Sequence, residues 1–349
     1  MSDTSTKDFY TQQAAEARGP EPPGTSRKKQ GGGRRVKRIA IWSGAGLAVL
    51  VSALLVAGLL VANHLASSVQ RIHVAALDSK EQAAFPGGTT GSLNILLTAS
   101  EIFPGQDAPT GLIELIHLNG GQRGGAVISF PANLLVKVPG HGKQRLGEAT
   151  VLGGPSLLIE TVERLTDVRI NHYSRMTFSG LPGVLASMNG VNVIVPYPTT
   201  SLGFSFHAGV NRINAVNALA YVRQPAVSQV IRTELQENLF RAILHKIANR
   251  GYFQATNWRV VDAVVHAISV DSDLSNSQLV HLALSLGHLQ SNDGVSVDVP
   301  TIGPTDAGFT TPVRLQKGLA DKLWRAIRTD SVAQLTQRYP SLVTPIAPG

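Results

Sequence analysis

Ser129–Gly147 reads SFPANLLVKVPGHGKQRLG, and how this stretch is parsed decides the fold. Ala126–Phe130, continuing through LLVKV, has the β-branched and apolar character of a strand, and it runs out through Pro139 into a Pro-Gly-His-Gly turn. Lys143 and Arg145 equip that turn to hold an anion. The strand end beside that turn offers only Ala132 and Asn133, neither of them an acid.

Working outward, Leu93–Ala99 (LNILLTA), Leu112–Leu118 (LIELIHL) and Val191–Val195 (VNVIV) also read as strands. Gly153-Gly154-Pro155 opens SLLIETVERLTDV, a helix with proline at its first position and apolar residues three and four apart. A second helix is predicted over Leu235–Arg250. Leu235, Leu239, Phe240, Ile243, Leu244 and Ile247 form its apolar face, Thr233 and Gln236 have capping-box spacing, and Gly251 stands in a C-terminal cap position. Asn257–Leu289 is expected to be helical, VSVDVPTIG strand-like, LADKLWRAI a short helix and SLVTPIAPG a loose tail. Strands alternating with helices specify one layered α/β domain with a central sheet flanked by helices.

The charge is unevenly placed. Of the formal +8, residues 1–38 hold 9 Lys and Arg against 4 Asp and Glu, net +5, which leaves 22 against 19, net +3, for the rest. Cysteine is absent, which excludes disulfides, thiolate metal sites and a cysteine nucleophile. Ile39–Ala62 contains 24 residues without a charge. At about 1.5 Å per residue a helix of that length crosses the ~30 Å hydrocarbon core of a bilayer. Seven Lys or Arg between Arg27 and Arg38 precede it and one cation lies in the flank NHLASSVQR that follows, so the positive-inside rule puts the N-terminus in the cytoplasm and residues 63–349 outside. The expected organisation is a disordered basic cytoplasmic tail (1–38), a transmembrane helix (39–62), a juxtamembrane linker (63–90), the α/β domain (91–255) and a helical and strand-bearing extension packed on it with a loose tail (256–349).

The search for chemistry is mostly negative. No histidine pair has zinc-site spacing, and His117, on an apolar strand, is read as a core or rim histidine. There is no G-x-S-x-G elbow, no Walker lysine and no helix-turn-helix, and a domain outside the cell meets no chromosome, so nucleic acid is not an expected partner. What remains is a set of cations at the ends of predicted elements: Lys143 and Arg145 in the turn, Arg223 ending ALAYVR, and Arg232 at the start of the long helix. Arginine forks match phosphate oxygens and a helix start adds amide donors.

These residues resemble the LytR-CpsA-Psr family of bacterial cell-envelope proteins, in its actinobacterial type. The likeness is carried by NILLTASE (Asn94–Glu101), SFPANLLVKVPGHGK (Ser129–Lys143), GGPSLLIETVE (Gly153–Glu163), INHYSRMTFSGL (Ile170–Leu181), GVNVIVP (Gly190–Pro196), GVNRINAVNALAYVR (Gly209–Arg223) and RTELQ (Arg232–Gln236). The resemblance implies an outside α/β domain, held by one N-terminal helix, whose apolar pocket takes a polyprenyl pyrophosphate. It further implies phosphotransfer of lipid-linked glycopolymers onto peptidoglycan, with arginines on the pyrophosphate and aspartates on Mg²⁺.

This chain departs from that pattern where the chemistry lies. The family's S-I-P-R-D is here SFPAN, so Ala132 and Asn133 replace an Arg and an Asp; R-x-D-T has become Pro109-Thr110-Gly111-Leu112; and D-x-x-R-x-x-R-Q survives as Gln229, Arg232, Leu235 and Gln236. The resemblance thus leaves Arg223 and Arg232 as candidate catalytic residues, Lys143, Arg145 and Gln236 as candidate ligand-binding residues, and no metal ligand. The helices beginning at Pro155 and Arg232 are expected to floor the site. The adopted reading is a catalytically degenerate binder of polyprenyl phosphates or envelope partners in the cell membrane, with no cofactor. The alternative is an active transferase using Mg²⁺ held by Glu101, Asp107, Glu114 or Glu148; a transcriptional regulator is disfavoured by the topology. An alkaline-phosphatase fusion after Ser92 is expected to be active, and protection of the C-terminal part from external protease in spheroplasts would reverse the orientation.

Overall fold

The structure is a computed structural model that describes residues 67–78, 91–99, 112–120, 124–224, 229–249, 258–279, 294–303 and 311–343. The expected tail and membrane helix lie outside these residues, and among the described residues no helix is long and apolar enough to cross a membrane.

Strands β1 (Gln70–Ile72), β2 (Leu93–Ala99), β3 (Leu112–Leu118) and β4 (Gly125–Pro131) are followed by a hairpin of β5 (Leu135–Val138) and β6 (Gly142–Arg145). Beyond it come β7 (His172–Met176), β8 (Val191–Val195), β9 (Thr199–Ser201), β10 (Phe204–Phe206), β11 (Gly209–Ile213), β12 (Ile268–Asp271), β13 (Gly294–Asp298), β14 (Thr301–Ile302) and β15 (Arg314–Leu315). Seven of these make one mixed sheet in the order β1-β12-β7-β2-β3-β4-β13. The sheet draws strands from both sides of residue 90 and of residue 255. Its helices are α1 (Ala149–Thr166), α2 (Leu181–Ser187), α3 (Ala218–Val222), α4 (Gln229–Asn249), α5 (Trp258–Ala267), α6 (Lys317–Arg328) and α7 (Val332–Arg338).

Side chains alternate across a strand, so a sheet with apolar residues at consecutive positions needs cover on both faces. Leu96, Ile113, Ile128 and Phe130 point to one face and pack against Leu158 and Val162 of α1 and Trp324 and Ile327 of α6. Leu97, Ala99 and Leu112 point to the other, under Leu185 of α2, Tyr221 of α3, Leu239 and Phe240 of α4 and Val260 of α5. The helices beginning at Pro155 and near Arg232 therefore lie on opposite faces, which corrects the expectation that they floor one site.

Further expectations are corrected or refined in detail. The strand through SFPANLLVKV breaks at Ala132–Asn133, where the chain turns out of the sheet and the carbonyls of Ala132 and Asn133 accept from Gly147 N (2.8 Å) and Val313 N (3.2 Å). The alternation of LLVKV is the same whichever ribbon it joins, which is why the pattern does not mark the break. Within α1, Gly153 (φ −157°, ψ 22°) and Gly154 (φ 68°, ψ −163°) leave helical geometry, so the continuous helix begins at Pro155 as expected. Helix α4 begins at Gln229, which moves the Thr233–Gln236 capping box and Arg232 into its body; Gly251 lies outside the described residues. The helix expected over Asn257–Leu289 is interrupted after Ala267, where Ile268–Asp271 is taken up as a strand between β1 and β7, and helical geometry resumes at Asn276. The expected loose tail is tied down as far as Val343: Leu342 is buried and Val343 bridges to Val297.

Phe130 stacks on Trp324 with ring centroids 5.7 Å apart and planes 4° from parallel, joining β4 to α6. Phe130→Ala is expected to cost roughly 3–5 kcal/mol, the usual range for an aromatic removed from a core, read as a lowered urea midpoint with Trp fluorescence as the probe.

Candidate functional site

Strands β2, β4 and β7 end, and β3 begins, at one edge of the sheet, where Ala99, Leu112, Pro131 and Met176 are aligned. Ala132 and Asn133 continue from this edge. Both are buried, at 2% and 7% exposure, and the Asn133 amide donates to Thr311 O at 3.0 Å while its carbonyl accepts from Val313 N. The position that the resemblance reserves for a metal-binding Asp therefore fastens the 311–313 segment to the strand end.

Three of the five sequence-predicted residues come together at the junction of α3 and α4. Arg223 is the C-terminal cap of α3 and half-buried. Arg232 donates from Nε to Gln224 O at 3.1 Å, and Gln236 donates from Nε2 to Val222 O at 2.9 Å. These bonds satisfy carbonyls that the helix end leaves unpaired, and they seat one cation on each side of the junction. Lys143 and Arg145 sit elsewhere, on the β5–β6 hairpin, whose buried Val136 and Val138 join the core of the opposite face. Lys143 is exposed. Arg145 closes a capping box with Glu148, which accepts from Arg145 N at 3.1 Å and Nε at 3.0 Å and forms an ion pair with it. Those hydrogen bonds hold the Glu148 carboxyl below the usual carboxylate range. His117 is a core histidine, fully buried, with Nδ1 2.7 Å from Asn94 Oδ1 and Nε2 3.2 Å from Asp330; burial pushes its pKa down.

Sequence reasoning missed a polar network under α4. Arg241, only 5% exposed, donates to Ser129 Oγ (3.1 Å), Glu237 Oε2 (3.2 Å) and Asp298 Oδ1 (2.6 Å), while the Ser129 hydroxyl donates to both Glu114 carboxyl oxygens at 3.0 and 2.8 Å. Ser129 and Asp298 are register partners on β4 and β13, so one guanidinium ties α4 to two strands of the sheet. Glu114 is fully buried, and its pKa is pushed up to about 8, first by desolvation and then by the Glu237 charge, with Arg241 acting in the opposite sense. The signal in the sequence is the lone acid of LIELIHL, since an ionisable group on a two-faced apolar strand must find a partner or lose its charge.

Of the four acids proposed as metal ligands, Glu114 is fully buried with both carboxyl oxygens on Ser129, Glu148 is paired with Arg145, and Glu101 and Asp107 lie outside the described residues. Among the described residues no three His, Asp or Glu side chains converge to hold a metal ion.

A profile of the LytR_cpsA_psr family matches residues 60–322 of the chain. Over 129 residues the chain is 31% identical to the probable cell wall biosynthesis protein LcpB of Corynebacterium glutamicum, a match covering 36% of this chain and 31% of that protein. Over 141 residues it is 28% identical to the polyisoprenyl-teichoic acid–peptidoglycan teichoic acid transferase TagT of Bacillus subtilis, covering 38% of this chain and 44% of that one. The chain thus spans less than half the length of these two curated relatives. The solved LytR-Csp2A-Psr enzyme from Actinomyces oris superimposes with a TM-score of 0.56 at 20% identity, over 74% of this chain and 95% of that one, a likeness of fold.

The pH dependence of Glu114 is open to measurement. Its pKa is higher in the folded chain than the ordinary 4.5, so its contribution to stability is full below that value and is lost as pH rises through about 8. Glu114→Gln keeps the shape without the titration. Thermal unfolding from pH 5 to 9 is expected to show the variant gaining on the parent as pH rises, by on the order of a few kcal/mol at the alkaline end. Parallel profiles would show that Glu114 titrates normally.

Proposed function

The chain belongs to the LytR_cpsA_psr family, and from that premise we propose that it is a membrane-anchored, extracytoplasmic protein of cell-envelope assembly that binds a polyprenyl-linked phosphate or glycopolymer without transferring it. One observation carries the non-catalytic part. Asn133, where a carboxylate is expected, is buried and spends its amide on Thr311 O, and its neighbour Ala132 has no side-chain donor or acceptor. Mg²⁺ prefers octahedral oxygen coordination with one or two carboxylates besides phosphate and water, a donor set that these two residues do not supply. Binding needs less. Arg223 and Arg232, placed on either side of the α3–α4 junction, offer charge-assisted hydrogen bonds to phosphate oxygens, and Gln236 keeps the end of α3 in place for them. The anchor is the uncharged Ile39–Ala62 stretch, and the partners are the membrane, the lipid-linked polymer and peptidoglycan, with no nucleic acid.

The second reading is an active transferase, favoured by the name of the relative TagT, a teichoic acid transferase acting on a polyisoprenyl-linked polymer. It requires metal ligands from Glu101 or Asp107.

Arg223→Ala and Arg232→Ala are each expected to weaken binding of a polyprenyl phosphate to the full chain by about 1.5–3 kcal/mol, with circular dichroism unchanged. No Mg²⁺-dependent pyrophosphatase or transfer activity is expected from the unmodified protein. Robust Mg²⁺-dependent turnover would overturn the non-catalytic reading in favour of the second.

A further inference from the structure

The register of the sheet fixes where the chain enters it. Gln70, Ser269, Arg175, Thr98, Ile113 and Phe130 are successive partners in one row across six strands. Strand β1 runs parallel to β12, and β12 antiparallel to β7, so the chain before Gln70 lies at the edge where β2, β4 and β7 end. That is the edge from which Ala132–Asn133 and the β5–β6 hairpin depart. Only residues 63–66 separate Ala62, the last residue of the uncharged stretch, from Ser67. At ~3.3–3.6 Å per residue this connection reaches at most about 18 Å, less than the width of the sheet.

The surface rooted at that edge has an unusual composition. Lys137 and Lys143 are direct cross-strand partners on β5 and β6, and both are exposed. Like charges directly opposite each other in a ribbon are destabilising unless an anion lies across them. They are held outward because Val136 and Val138, on the alternate positions, are buried in the core. His141 lies at the tip, between Gly140 (φ 73°) and Gly142 (φ 71°). The hairpin returns to the edge through Gly147 N, which donates to Ala132 O at 2.8 Å. The turn that follows exposes two large apolar side chains, Val151 at 53% and Leu152 at 41%, just before the break at Gly153.

We propose that this edge of the domain faces the bilayer, with Lys137 and Lys143 on anionic lipid headgroups and Val151 and Leu152 dipping into the interface. The proposal rests on the reading of Ile39–Ala62 as a membrane span. Basic side chains next to an anionic leaflet are attracted within a Debye length, and exposed apolar residues beside them add burial in the headgroup region. Docked in this way, the α3–α4 cations belong to a body whose strand-end edge is turned to the surface from which a polyprenyl-linked ligand would emerge.

The chain has no cysteine, so single-cysteine variants of the full protein can be labelled uniquely. His141→Cys, Val151→Cys, Ser67→Cys and Arg164→Cys, the last on the exposed far part of α1, would carry an environment-sensitive fluorophore in nanodiscs of phosphatidylcholine with or without phosphatidylglycerol. The quencher is a headgroup spin-labelled lipid. Quenching at 141 and 151 is expected to exceed that at 164 several-fold in the anionic discs. Replacing Lys137 and Lys143 by Gln is expected to weaken docking by roughly fivefold for each lysine. Quenching at 67 with none at 141 and 151 overturns the docking and leaves the anchor standing; no quenching at 67 overturns the anchor and the docking with it. A response of the 141 label to soluble polyphosphate, without headgroup quenching, would assign the lysines to a free anionic polymer and overturn the proposal.

Discussion

Asp271 accepts hydrogen bonds from Tyr173 N (3.0 Å), Leu274 N (3.0 Å) and Asp273 N (3.1 Å), and lies 3.2 Å from His172 Nδ1 at 1% exposure. It ends β12, the strand inserted between β1 and β7, and so joins three segments of the chain that lie far apart in sequence. A buried carboxylate is costly unless its lone pairs are filled, and backbone N–H groups from two directions fill them here. The rest of the domain depends on this insertion. Without β12, β1 has no partner in the sheet, and the chain's entry point is no longer fixed relative to the strand ends.

The other side of the sheet is organised around a cation. Arg241 brings β4, β13 and α4 together, and three carboxyl groups surround it: Glu114, Glu237 and Asp298. One positive charge cannot balance three negative ones in a site of low polarity, so the most buried acid keeps its proton. The network thereby sets the seat of α4, on which Arg232 and Gln236 are carried one to three turns upstream. The placement of the phosphate-binding candidates and the protonation of Glu114 are consequences of the same packing.

Much of this was readable in the sequence where a pattern has one physical meaning. The strands at Leu93–Ala99, Leu112–Leu118 and Val191–Val195 stand as expected, because a continuous apolar run bounded by turns has few other solutions. The start of the continuous helix at Pro155 was equally clear, since only glycine tolerates the backbone of Gly154. The family likeness was legible in its motifs. What failed was what depends on distant partners. Ile268–Asp271 alternates apolar and polar over only four residues and directly continues a helical pattern, so the gap between β1 and β7 that it fills decides its state, and Gln70–Ile72 is too short to show alternation. At the site, the nearness of Arg223, Arg232 and Gln236 could be inferred from their motif spacing. The separate seat of Lys143 and Arg145 could not, because it follows from the break after Pro131, and the role of Arg241 required knowing which face of α4 meets the sheet.

The two parallel pairings at the flanks of the sheet, β1 with β12 and β4 with β13, each link strands more than 160 residues apart. A chain with such pairings closes loops of high entropic cost before the contacts repay it, which slows folding. Until Ile268–Asp271 pairs with β7 and Gly294–Asp298 pairs with β4, each of those strands presents an open edge of unpaired amides and carbonyls. The nascent protein thus passes through a period in which its central sheet is a template for pairing with other chains, and completing the domain is a matter of timing as much as of stability.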